Sequence, residues 1–200
     1  MGSRTIAVLE LTPADRAALL RLAREALGAA LAGCERPALP DGPGVRQRRG
    51  AFVTLEAAGA LRGCVGHVPP DRPLADVVRD VAIAAARDDA RFAPVTPDEL
   101  PGLRIEISAL TEPVALAPTV PERILIGRDG LLVRRGGASG LLLPQVAPES
   151  HWGPRAFLTA ACRKAGLSAD AWREPGTLVF TFQAEVFSET REAGGGMGEA

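Results

Sequence analysis

The sequence predicts an α+β fold, with antiparallel sheets and flanking helices, and three observations carry that expectation. Apolar and polar side chains alternate along residues 51–56, 103–110 and 177–187, the two-residue period of half-buried strands. Two other stretches, after Thr12 and after Pro73, repeat apolar residues at helical spacing. The links between elements read as hairpin turns and short loops, not as the regular crossovers that a parallel sheet needs.

Thr12-Pro13-Ala14-Asp15 supplies a capping threonine, a proline at the first helical position and an acid at the third, so a helix starts here. Its apolar stripe is Leu19, Leu22, Ala23, Ala26 and Ala30, and Gly33 stops it. Residues 33–50 are rich in proline and glycine and form a loop carrying Arg46-Gln-Arg-Arg49. A strand follows, with Val53 and Leu55 on one side and Phe52, Thr54 and Glu56 on the other. Ala57-Ala-Gly59 turns the chain into a second strand from Leu61. Strand alternation there puts Arg62 and Cys64 together, opposite Leu61, Gly63 and Val65. Val68-Pro-Pro70 breaks that strand, and Asp71 or Asp76 supports the start of a helix whose stripe is Leu74, Val77, Val78, Val81, Ala82 and Ala85. Asp88 and Asp89 sit at its end, where two acids are mismatched to the negative pole of the helix dipole. The mismatch points to a bond elsewhere, with Arg91 or Arg62.

Thr96-Pro-Asp-Glu99 is a second capping box and opens a short helical turn. In the strand 103–110 the buried face is Leu103, Ile105, Ile107 and Ala109. Arg104, Glu106 and Ser108 line a face too polar for core, either solvent-facing or the floor of a cleft. A proline-rich crossing (Pro113, Pro118, Pro121) leads to Ile124-Leu-Ile126, and Asp129-Gly130 is the signal of a hairpin turn into Leu131-Leu-Val133. Residues 134–140 make a second turn and 141–143 a third short strand. A helix then runs through Phe157, Leu158, Ala161, Cys162 and Ala165 to Gly166, with Trp152 ahead of it expected to be largely buried between that helix and a sheet. Residues 177–187 read as one long strand, with Leu178, Phe180, Phe182 and Val186 facing one way. The tail at 190–200, with Gly194-Gly-Gly196, is expected to be disordered.

Composition bounds the function. A net charge of −1 supplies no basic patch for nucleic acid. No apolar run reaches the ~18 residues of a membrane span, and the first residues lack the apolar core of a signal peptide. Three cysteines, Cys34, Cys64 and Cys162, are an odd number without framework spacing, so reduced thiols in a cytoplasm are expected.

The chemistry concentrates at Leu61-Arg-Gly-Cys-Val-Gly-His67. Gly63 and Gly66 flank Cys64 and leave room for a ligand, a partner or another piece of backbone. Three uses are open. As a nucleophile, Cys64 needs a base, and the sequence has only His67 and His151 as imidazoles, with Arg62 as the activating cation. Cys64 and His67 have the spacing of half a zinc site, but no second pair completes it, and neither a metal nor a cofactor is assigned. As a binding module, the segment forms part of a composite site with Gly63, Gly66, Glu106 and Ser108.

Leu61-Arg-Gly-Cys-Val-Gly66 closely resembles the LRGCIG signature of the AMMECR1 domain family, of the AmmeMemoRadiSam system protein A type. The resemblance continues in order through Asp88-Asp-Ala-Arg-Phe-Ala-Pro-Val95, Leu103–Leu110, Gly127-Arg-Asp-Gly-Leu131, Leu141-Leu-Leu-Pro-Gln-Val-Ala147 and Cys162-Arg-Lys-Ala-Gly-Leu167, and covers residues 12–189. It implies two lobes facing a cleft, the larger built from both termini and the smaller an inserted α/β lobe. It also implies partners, a Memo-like metalloprotein and a radical S-adenosylmethionine protein, beside which this chain completes or gates a substrate site in a redox system. The alternative is a stand-alone cysteine-dependent enzyme using Cys64.

Overall fold

Helix α1, Pro13–Ala32, begins as its sequence requires. Thr12 accepts from the Asp15 N–H at 3.1 Å, and the Asp15 carboxylate accepts from the Thr12 N–H at 3.0 Å. Gly33 ends it at φ 68°, a left-handed cap that suits glycine. The computed structural model describes residues 10–116 and 121–190. The expected disordered tail and Pro118 of the proline-rich crossing lie outside the described residues. Among the described residues no helix is long and apolar enough to cross a membrane.

The chain divides into two compact units, Met1–Ala109 with Glu185–Ala200 and Leu110–Ala184. In the first, β1 (Ala51–Ala57), β2 (Ala60–His67), β3 (Leu103–Leu110) and β8 (Ala184–Ser188) form a sheet of order β2-β1-β3-β8. The β1–β2 turn places Ala58 and Gly59 at φ 51° and 81°, the left-handed pair of a tight hairpin. Val53, Leu55, Ile105 and Ile107 are fully buried on one face, and α1 and α2 (Leu74–Arg87) supply Leu19, Leu22, Leu27, Val77 and Val78 to the same core. The alternation read from the sequence therefore selects the face against the helices. The Arg49 guanidinium is 2% exposed and donates to Glu185 at 2.6 Å and to the Ala109 carbonyl at 3.0 Å.

In the second unit, β4 (Val114–Leu116), β5 (Gly130–Arg135), β6 (Ala138–Leu142) and β7 (Leu178–Phe182) form a sheet of order β4-β7-β5-β6, antiparallel throughout. The short helix α3 (Val146–Glu149) precedes α4 (Pro154–Lys164), whose Phe157, Leu158, Ala161 and Cys162 pack on Leu131, Val133 and Val179.

Four sequence expectations are corrected here. Residues 124–126 form no strand. Asp129, 3% exposed, accepts from the Leu125 N–H at 2.9 Å and closes a turn that precedes β5, so Asp129-Gly130 is a turn exit, not a hairpin tip. Residues 177–187 are two strands in different sheets. The chain leaves β7 at Gln183, where Thr111 and Gln183 bond twice at 2.8 Å, and enters β8. Trp152 is half-buried at the edge of the second core, while Trp172, 4% exposed, is the tryptophan inside it. Ser108, expected on a face too polar for core, is 2% exposed.

Candidate functional site

Strand register decides what surrounds Cys64. Thr54 pairs with Cys64 and with Glu106, and Phe52 pairs with Gly66 and with Ser108. Directly opposed residues share a face, with Cβ atoms ~4.5–5.5 Å apart. Cys64, Thr54 and Glu106 thus form one row across the sheet face opposite the helices, and Gly66, Phe52 and Ser108 form the next. Within the first row the Thr54 hydroxyl donates to Cys64 Sγ at 3.3 Å. All three cysteines are free thiols: Cys34 is exposed, Cys64 half-buried and Cys162 buried, where burial pushes its thiol above the ordinary range.

Between Leu55 and Glu56 the register shifts. Glu56 pairs with Leu61 but Leu55 with Gly63, which leaves Arg62 as the extra residue of a β-bulge. Simple alternation puts Leu61 opposite Cys64, and the bulge moves it to the Cys64 face, where it is 43% exposed. The bulge also frees the Arg62 guanidinium from the strand's own pattern. It grips Glu99 through two bonds of 2.7 and 3.1 Å and donates to the Ala93 and Pro94 carbonyls at 2.9 and 3.4 Å. This grip draws the Glu99 carboxyl down to about 2, and Glu99 in turn raises Arg62.

A second cation, Arg91, is tied to the Cys64 backbone through Asp89. The Cys64 N–H donates to Asp89 Oδ2 at 2.8 Å, and Arg91 holds both oxygens of that carboxylate at 2.9 and 2.6 Å. Hydrogen bonds from Arg91, and then from the Cys64 N–H, hold Asp89 well below the ordinary carboxylate range. The acid mismatched to the helix end thus finds its bond, to Arg91 and not to Arg62.

The remaining sequence-derived candidates are placed as follows. His67 pairs with Ala51, on the opposite face from Cys64, and its Nε2 lies 2.7 Å from Asp71, whose carboxyl it lowers. His151 belongs to the second unit, exposed and at φ 55°. Above Gly63, the position of a Cβ is taken by the Ala85 carbonyl of α2, and above Gly66 by the Phe52 ring. At Gly63, therefore, the close neighbour is another piece of backbone. Gly63→Ala should destabilise the protein by about 1–3 kcal/mol through overpacking against a main chain that cannot yield. Chemical denaturation checks this, and an unchanged midpoint would refute the packing role. Among the described residues no group of three or more His, Cys, Asp and Glu is arranged to hold a metal ion.

Sequence reasoning did not single out Thr54, Asp89, Arg91 or Glu99 for the site. Thr54 was legible from its alternation with Val53 and Leu55, and Asp89 from its mismatch with the helix dipole. Arg91 was open only as one of two partners for that acid, and Glu99 only as part of a capping box, because a loop decides where they reach.

These features define an α+β protein of two units that presents a free thiol on a sheet face and braces it with two arginine–carboxylate bridges. The chain belongs to the AMMECR1 family, which its residues 20–187 match. A protein of Methanothermobacter thermautotrophicus is 49% identical over 177 residues, covering 86% of this chain and 92% of its own. Protein Mbar_A1807 of Methanosarcina barkeri is 41% identical over 192 residues, covering 92% and 95%. The crystal structure of uncharacterized protein PH0010 from Pyrococcus horikoshii superposes with a TM-score of 0.80 at 41% identity, over 86% of this chain and 89% of that one.

Proposed function

We propose that this AMMECR1-domain chain is a partner subunit of the AmmeMemoRadiSam type. Its Cys64 face contributes to a substrate site that a Memo-like metalloprotein completes, in a redox system that includes a radical S-adenosylmethionine protein. The observation that supports this reading is that Cys64 stands half-exposed on a sheet face whose own unit sets no imidazole on that side. The first unit has one histidine, His67, and it is bonded to Asp71 from the other side of the strand. A lone thiolate enzyme needs a positioned base, whereas a subunit that orients substrate does not, and positioning alone is worth about 7–11 kcal/mol in favourable cases.

The second reading, a stand-alone cysteine-dependent enzyme, is favoured by the hydroxyl that Thr54 directs at Cys64 Sγ. The two readings separate on mixing purified proteins. Under the partner reading the chain binds the Memo-like protein of its own genome, and Cys64→Ser weakens the joint activity while leaving the fold intact. Turnover by the isolated chain, abolished by Cys64→Ala at unchanged thermal stability, would promote the enzyme reading.

A further inference from the structure

The Arg62 guanidinium, which sequence spacing pairs with the thiol, is spent elsewhere, and its partners have a pattern. β2 is an edge strand, and the loop after α2 is docked on it at two places two residues apart. One anchor is the Cys64 N–H, which holds Asp89 at 2.8 Å. The other is Arg62, which takes the Ala93 and Pro94 carbonyls and then Glu99 beyond them. The loop closes on itself through the Phe92 N–H to the Asp89 carbonyl at 3.0 Å, and is tied back to α2 through the Val95 N–H to the Ala86 carbonyl at 2.8 Å. The loop carries Arg91, whose guanidinium is fixed on Asp89 but 57% exposed, while the Arg62 side chain is 17% exposed.

We propose that Arg62 is a positioning residue, which latches the loop of residues 88–95 to the edge strand so that Arg91, and not Arg62 itself, is the cation presented at Cys64. Geometry favours this division of labour. Arg62 is the bulged residue, and its planar fork satisfies a carboxylate and two carbonyls at once, an arrangement that the point charge of lysine does not reproduce. Asp89 alone touches both the Cys64 backbone and Arg91, so whatever moves the loop moves the cation. A charge on Cys64 is also among those that favour protonated Arg91. The groups around Cys64 are then Thr54 from β1, bonded to Sγ, Asp89 from the loop, bonded to the Cys64 N–H and carrying Arg91, and Glu106 one register position further on β3.

This deepens the partner reading by naming what the Cys64 face offers an incoming group, an anion-attracting guanidinium beside a thiol. Its test uses no partner, so the two fail separately. Cys64 is alkylated in the full chain at one pH with anionic iodoacetate and with neutral iodoacetamide, and the ratio of rates is read by peptide mass spectrometry, with exposed Cys34 as the reference in the same molecule. Glu99→Ala keeps both guanidinium groups and removes a negative charge, so a direct action of Arg62 predicts that the ratio at Cys64 rises. The latch predicts that it falls, by about threefold to tenfold for a charge displaced by several ångströms. Arg62→Lys and Arg91→Gln should lower it by a similar factor, with faster amide exchange at Phe92 and Val95 in the Arg62 variant. A raised ratio in Glu99→Ala, a wild-type ratio in Arg62→Lys, or an unchanged ratio in Arg91→Gln overturns the proposal.

Discussion

Glu185→Ala is expected to cost about 3–5 kcal/mol of unfolding free energy, because it removes the carboxylate that the Arg49 guanidinium, 2% exposed, bonds at 2.6 Å. The Ala109 carbonyl, at 3.0 Å, would still accept from Arg49 but supplies no countercharge. The pH dependence follows with its sign. Burial pushes the Glu185 carboxyl up, but bonds from Arg49, the Leu11 N–H and Arg16 outweigh it and hold the carboxyl below its ordinary value. A lowered carboxyl stabilises the fold above its unfolded-state value, and that stability is lost as pH falls through its folded-state value. The difference between wild type and Glu185→Ala should therefore be largest near neutral pH and shrink in acid. Adding Arg49→Met should recover part of the loss, since removing both members of a buried ion pair costs less than removing one. Urea unfolding of wild type, Glu185→Ala, Arg49→Met and the double variant checks this, and independent, additive losses would contradict it.

Trp172→Ala should cost about 3–5 kcal/mol, the range for large aromatic truncations in a core. The ring is 4% exposed among Phe157, Leu158, Ala171 and Val179, and the Arg173 guanidinium lies 4.5 Å from its centroid. Its indole N–H is buried without a hydrogen-bond partner among the described residues, so Trp172→Phe should cost much less than Trp172→Ala. Trp152→Ala, at the half-buried edge of the same core, should cost less than Trp172→Ala. Fluorescence-monitored unfolding ranks them, and a larger loss at Trp152 than at Trp172 would reverse the assignment.

Periodicity made the helix-packed side of the first unit legible: Leu19 and Leu22 at helical spacing, Val53 and Leu55 at strand spacing, and the Thr12 and Thr96 capping boxes are where those rules put them. What escaped was set by tertiary contacts. Strand periodicity continues from Phe182 to Val186 although the chain changes sheets, because both segments are half-buried and the period does not encode the partner strand. The Trp152 and Trp172 environments differ through the packing of α4, which local pattern does not register. At the site, Cys64 was legible from its glycines and its motif. The role of Arg62 was not, since a one-residue bulge undoes the i, i+2 rule on which its pairing with the thiol rested.

The proposed completion of the Cys64 face by another protein is open to titration calorimetry with the purified Memo-like protein. Two variants probe the face without touching the core. Cys64→Ser alters the thiol, and Leu61→Arg adds a charge at a residue that is 43% exposed and shares the Cys64 face through the bulge. Saturable binding to wild type is expected, weakened at least about tenfold by Leu61→Arg, a change of about 1.4 kcal/mol. Both variants should unfold like wild type, with Cys64→Ser impairing the joint activity. No binding by the wild type, or binding that Leu61→Arg leaves intact, would contradict it.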